Sequence, residues 1–197
     1  MNISISNIKT TFFFLLIFTF SVSSCSENYT PKPRGYFRIS FPDKSYKKFE
    51  SAEPYQFEIP EYSFVQKDSS EMSENWWYNL IFPNMKGILH ISYKNINNNL
   101  TDYIEDSRSL AFKHTIKADA INEELFIDRD KSIYGVLDEI KGNAASPYQF
   151  FVTDSTKHFV RGALYFNVHP NKDSLAPVFS FIKTDIIHLI KSVEWKN

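Results

Sequence analysis

Between residues 76 and 94 the chain reads WWYNLIFPNMKGILHISYK. Two runs of alternating apolar and polar residues flank Pro83-Asn84-Met85-Lys86, and period-two alternation marks half-buried strands. The spacing predicts a hairpin whose second strand puts Leu89, Ile91 and Tyr93 on one face. Adjacent strand residues point to opposite faces, so Trp76 and Trp77 are expected on different sides of the sheet. Antiparallel pairing is therefore the working frame.

Working outward, GYFRISF (35–41) and YQFEIP (55–60) alternate in the same way, and EMSEN (71–75) fits a hairpin loop. From residue 97 the period changes. Leu100, Ile104, Ser107, Ala111 and His114 recur at helical spacing, with Asn99 as N-cap and Asp102 in the first turn. Strand-like runs return at 119–128, 132–140, 147–155 and 157–168, with the turn-forming KGNAAS (141–146) between the second and third. The last segment, 173–195, is an amphipathic helix capped by Ser174, with Leu175, Val178, Ile182, Ile186, Leu189 and Val193 as its apolar stripe. Strands, helix, strands, helix gives a single α+β domain over 35–197, a central antiparallel sheet carrying two main helices. This order of elements resembles the Mog1/PsbP-like fold.

The N-terminus is of another kind. Lys9 precedes an apolar run from Phe12 to Val22, too short for a hydrocarbon core of about 30 Å, which needs roughly 20 apolar residues. A short positive region, an apolar core and small residues at a boundary make a secretory signal peptide. The boundary Val22-Ser23-Ser24-Cys25 resembles the lipobox of bacterial lipoproteins, in which the cysteine is acylated after cleavage before it. Residues 1–24 are thus expected to be the signal peptide. Cys25 would be the lipidation site, and 25–34 the lipidated cysteine and its proline-containing tether.

Composition narrows the function. Cys25 is the only cysteine, so the body has no disulfide, thiol nucleophile or cysteine-based zinc site. Cleavage would leave 173 residues with a net charge of −2. That near-neutral chain lacks the basic block that nucleic-acid binding needs. With 19 Phe, 11 Tyr and 3 Trp it can fill one large core.

Three constellations have the residue types of chemistry. Asp106, Arg108, His114, Lys117 and Asp119 could supply a base and an orienting carboxylate, His114 with Asp119, if folding joined them. Asp154, Ser155, Thr156, Lys157 and His158 hold a serine, a histidine and an aspartate. They lack a G-x-S-x-G elbow, however, and fit a plain hairpin turn. Strand alternation also puts Arg161 on the face opposite His158. The five histidines show no H-x-x-x-H pair and no glycine-rich phosphate loop exists, so no metal and no cofactor are expected. The bland reading of these clusters, with Asn143 in its turn, is an exposed surface. Asn143, Asp154, Lys157, His158, Asp106, Arg108, His114, Lys117 and Asp119 are the candidate interaction residues.

Taken in order, PKPRGYFRISFP, ISYKNINNNLTDYIEDSRSLAFKHTIKADAI, NAASPYQFFVTDSTKHFVRGALYFN and PNKDSLAPVFSFIKTDIIHLI resemble the GldD family of gliding-motility lipoproteins of Bacteroidetes. The resemblance runs from about Pro31 to Trp195. It implies a non-enzymatic envelope lipoprotein of the gliding motility and type IX secretion apparatus. Its partners would be other motility and secretion proteins, with the membrane reached through the lipid. It also implies an outer-membrane position. Glu27 is the only acid near Cys25, and the lack of an acidic run favours a periplasm-facing domain over surface export. Two alternatives stay open: lipid or glycan binding in an aromatic cleft, and a hydrolase using His114 and Asp119.

Overall fold

The computed structural model describes residues 39–50, 54–168 and 171–196; the signal peptide, Cys25 and the tether lie outside them. Seven strands form one antiparallel sheet in the order β3-β4-β5-β9-β8-β7-β6. Their ranges are β3 Phe64–Lys67, β4 Tyr78–Phe82, β5 Gly87–Asn95, β6 Ala118–Asp128, β7 Ile133–Gly142, β8 Tyr148–Thr153 and β9 His158–Phe166. The hairpin expected at 76–94 is the β4–β5 pair, closed by a 3-10 turn at Pro83–Met85 in which Lys86 takes a left-handed conformation. Leu89, Ile91 and Tyr93 are all buried.

A smaller sheet, β1-β2-β10, joins Tyr46–Phe49, Tyr55–Pro60 and Glu194–Trp195. Tyr55, Phe57 and Ile59 point from β2 into the main core, as the alternation of YQFEIP required. Three expectations are corrected here. Ile39, Ser40 and Phe41 are not in a strand; the first strand is Tyr46–Phe49, whose YKKF has too few apolar residues to signal itself. The last helix stops at Ser192, and the next residues pair with β2 instead of continuing it. Its cap is Asn171, whose side chain accepts the N–H of Ser174, one turn before the expected position.

The helices α1 (Leu100–Phe112) and α2 (Lys172–Ser192) lie on opposite faces of the large sheet. α1 sets Ala111 against Ile140 and Ala144. α2 buries Val178, Ile182, Ile186, Leu189 and Ile190 against Leu89, Leu137, Leu164 and β2. Each such side chain contributes roughly 1.5–3 kcal/mol by leaving water. The α2 side is therefore the main core, and α1 covers only part of its face, over β8 and β9.

One buried charge interrupts the α2 stripe. Asp185 is 2 % exposed in mid-helix. Tyr62 donates to its Oδ2 at 2.5 Å, and Tyr46 and Lys44 donate to Oδ1 at 3.0 and 2.6 Å. Lys44 spends its other donors on the Tyr62 hydroxyl and the Phe181 carbonyl, at 2.8 and 2.9 Å. Its ammonium also sits 3.3 Å from the centroid of the Phe181 ring, on which Phe41 stacks. Burial lowers the lysine pKa, against the pull of Asp185. A carboxylate this buried is tolerated because its partners satisfy it. The cluster pins residues 41–46 to α2.

Candidate functional site

The nine expected surface residues fall into three separate groups. Asp119 and Asn143 meet at the start of α2: Asn143 Oδ1 accepts the Lys172 N–H at 3.0 Å, and Lys172 Nζ reaches Asp119 Oδ2 at 2.5 Å. Asp119 is the extra residue of a β-bulge, since the register with β7 shifts between Ala118 and Ala120. Opposite it Gly142 has φ +111°, and a Cβ there would lie 2.8 Å from the Lys117 oxygen. Bulges re-aim side chains, and this one turns Asp119 towards Lys172. Asp106 and Arg108 stand exposed on α1, with Arg108 3.5 Å from Glu123. Lys117 is exposed just before β6. His114 lies in a 3-10 turn after α1, and its side chain is outside the described residues.

The third group is the β8–β9 turn at the opposite end of the sheet. Asp154 Oδ1 accepts the backbone N–H groups of Thr156, Lys157 and His158 at 2.8–2.9 Å. Burial alone would raise the Asp154 pKa; these hydrogen bonds outweigh it and hold the carboxyl low. That is turn chemistry, and the serine beside it has no role in it. His158 is corrected from surface to interior, being 7 % exposed. Its ring stacks on Trp195, and its Nδ1 lies 2.7 Å from the Tyr93 hydroxyl. Tyr93 gives its one proton to Asn95 Oδ1, also at 2.7 Å, which leaves its oxygen to accept from the imidazole. Burial lowers the His158 pKa.

Sequence reasoning missed the surface that the sheet register builds on the α1 side. Gln66, Asn79, His90, Ala163, Gln149, Asp138 and Glu123 are successive cross-strand neighbours, a row across all seven strands that is polar except at Ala163. Beside it runs an apolar row, Phe64, Ile81, Ile88 and Tyr165. No helix among the described residues covers the β3–β5 half of this face. Exposed large apolar side chains lie at both edges of this face: Phe64 on β3 is 48 % exposed, and Leu125 and Ile127 on β6 are 74 % and 65 % exposed, with Leu110 and Phe112 on α1. Only the cross-strand register, which no single segment encodes, aligns these residues.

Under α1 the polar row is incompletely satisfied. Arg161 donates to Gln149 Oε1 at 2.5 Å, but Gln149 Nε2 and Arg161 Nε are buried with no partner among the described residues. Burial and the Glu123 charge push Asp138 up to about 6, against Arg108 and Arg161. A raised carboxyl pKa means the fold prefers the protonated acid. Its contribution is full below the ordinary value of 3.8 and is lost as pH rises through about 6. Asp138→Asn cannot ionise, so at pH 7.5 it is expected to be more stable than the parent by about 1 kcal/mol. The two should converge at pH 4 in urea unfolding. A constant difference across that range would assign the effect to packing.

Two helices on opposite faces of an antiparallel sheet, with a small second sheet closing the core, define a PsbP-like α+β domain. The chain is similar to the solution structure of cyanobacterial PsbP (CyanoP) from Synechocystis sp. PCC 6803, with a TM-score of 0.50 and 13 % identity. That match covers 81 % of this chain and 98 % of the other. At that identity the likeness concerns the fold. The sequence itself is more specific. Residues 26–195 match the family described as gliding motility lipoprotein GldD, and the chain belongs to that family. No curated protein matches it. No helix among the described residues is long and apolar enough to cross a membrane.

Proposed function

We propose that this chain is a lipid-anchored component of the gliding-motility and type IX secretion apparatus that acts through protein–protein contacts and performs no catalysis. Cys25 carries the lipid, and the domain faces the periplasm from the outer membrane. One observation supports the contact reading: Leu125 and Ile127 stand exposed, two residues apart, on one face of the edge strand β6. An edge strand that keeps apolar side chains exposed offers a partner both surface and free backbone groups.

The hydrolase alternative has little to support it. Asp119 is committed to Lys172, and His158 is enclosed by Trp195 and Tyr93.

The test is purification of the tagged lipoprotein from crosslinked membranes of its own cells. Motility or secretion proteins are expected in stoichiometric amounts, and recovery of the chain alone would overturn the reading. Cys25→Ala is expected to move the protein into the soluble fraction. Retention in the membrane fraction would defeat the anchor assignment independently of the contact reading.

A further inference from the structure

The large sheet has a notch at one corner. β4 begins at Tyr78, opposite Ile91, while β5 runs on to Asn95 beside β9. Over Ser92–Asn95 the β4 side of β5 therefore has no partner strand, and the chain before β4 swings outward. The loop is closed by the Asp68 N–H donating to the Trp77 carbonyl at 3.0 Å. Between loop and strand lies a cleft of about 440 Å³, within the size range of small-molecule sites.

Its lining combines the Trp76 ring, with Tyr93 buried behind it, the amides of Asn75 and Asn95 and the ion pair of Glu74 with Lys94. Trp76 has a left-handed backbone, φ +65°, which is an outlier for a bulky side chain. Such strain persists only where surroundings enforce it, and it clusters at ligand sites. Here the Tyr55 hydroxyl holds the Trp76 carbonyl at 2.7 Å, and the ring meets Tyr93 edge-on at 5.4 Å. Tyr93 is in turn fixed by Asn95 and His158. The Trp76 ring is thus preorganised by the fold.

The chemistry selects among occupants. An acyl chain needs an apolar tunnel, and most groups lining this cleft are polar. An added peptide strand would use the Tyr93 carbonyl, which already accepts the Trp77 indole N–H at 3.1 Å. A phosphate needs net positive charge, and Lys94 is paired with Glu74. A pyranose ring fits what remains. Its C–H face packs on an aromatic side chain, and its hydroxyls both donate and accept, as the two amides do.

We infer that the notch between Trp76 and Asn95 is a binding site for a neutral pyranose unit of an envelope glycan. The full-length protein, in a detergent without a sugar headgroup, is tested by saturation-transfer NMR with chitotriose, cellotriose and mannotriose. Transfer to the ring C–H protons of at least one is expected at millimolar concentration. Trp76→Gly removes the ring while suiting the left-handed backbone, and should abolish the signal. Asn75→Ala, at an exposed loop position, should weaken binding by about fivefold, the loss of one hydrogen bond to ligand. Its unfolding temperature should not move. No transfer to any of the three sugars would overturn the inference, and so would transfer unchanged in both variants.

Discussion

Asp185→Ala is expected to lower stability by about 3 kcal/mol, the low end of what removing one partner of a buried ion pair costs, since Lys44 is partly exposed. For a domain of this size that is a fall of roughly 10 °C in unfolding temperature. The cause is what the missing carboxylate leaves behind. Lys44 keeps its charge in a half-buried position, and the hydroxyls of Tyr46 and Tyr62 lose their acceptor. Asp185→Asn keeps an acceptor for the tyrosines and should cost less. Lys44→Met combined with Asp185→Leu removes both charges and should recover much of the loss, since paired hydrophobic replacements are often neutral. Thermal melts of the three variants decide it. A loss under about 1 kcal/mol for Asp185→Ala would show that the cluster contributes little.

The second large effect concerns activity with the fold intact. Leu125 and Ile127 alternate on the same face of β6, an edge strand, and stand opposite Val136 and Tyr134. Both are mostly exposed, so replacing them with glutamate should change stability by roughly 0.5 kcal/mol or less each. If a partner covers them, each substitution buries an unpaired charge, which costs several kcal/mol. Leu125→Glu/Ile127→Glu is therefore expected to abolish gliding while the protein stays in the membrane at normal levels. Lys47→Glu, exposed on β1 of the small sheet, is the control and should glide normally. Normal gliding of the double variant would remove this surface from the contact.

How much of this was legible beforehand follows from the range of the interactions. The β4–β5 hairpin and both helical stripes are local patterns, and each segment carried its own signal. Trp76 and Trp77 do point different ways, Trp76 onto Tyr93 and Trp77 beside Lys94, but not through strand alternation, because β4 starts only at Tyr78 and Trp76 has a left-handed backbone. β1 and β3 escaped because YKKF and FVQK hold too little apolar pattern over four residues. Asp185 looked like an ordinary polar residue in a helix, because its partners lie more than 120 residues away. His158 was misjudged for a related reason. The turn residues around it are exposed, but its own side chain is the first of β9 to point into the core, where Trp195 covers it. The polar row, the bulge at Asp119 and the notch beside Trp76 all depend on register.

If Cys25 carries the lipid, as proposed above, the Lys44–Asp185 cluster acquires a mechanical meaning. Any pull along the chain from the lipid side reaches Phe41 and Lys44 before it reaches β1. The stacked ring of Phe181 and the carboxylate of Asp185 pass that tension directly into α2, a helix of 21 residues seated along the core. The thin three-stranded sheet is thereby shielded from being peeled open. On that reading, a pull from the lipidated end would meet a helix of the core before it met the edge of a sheet.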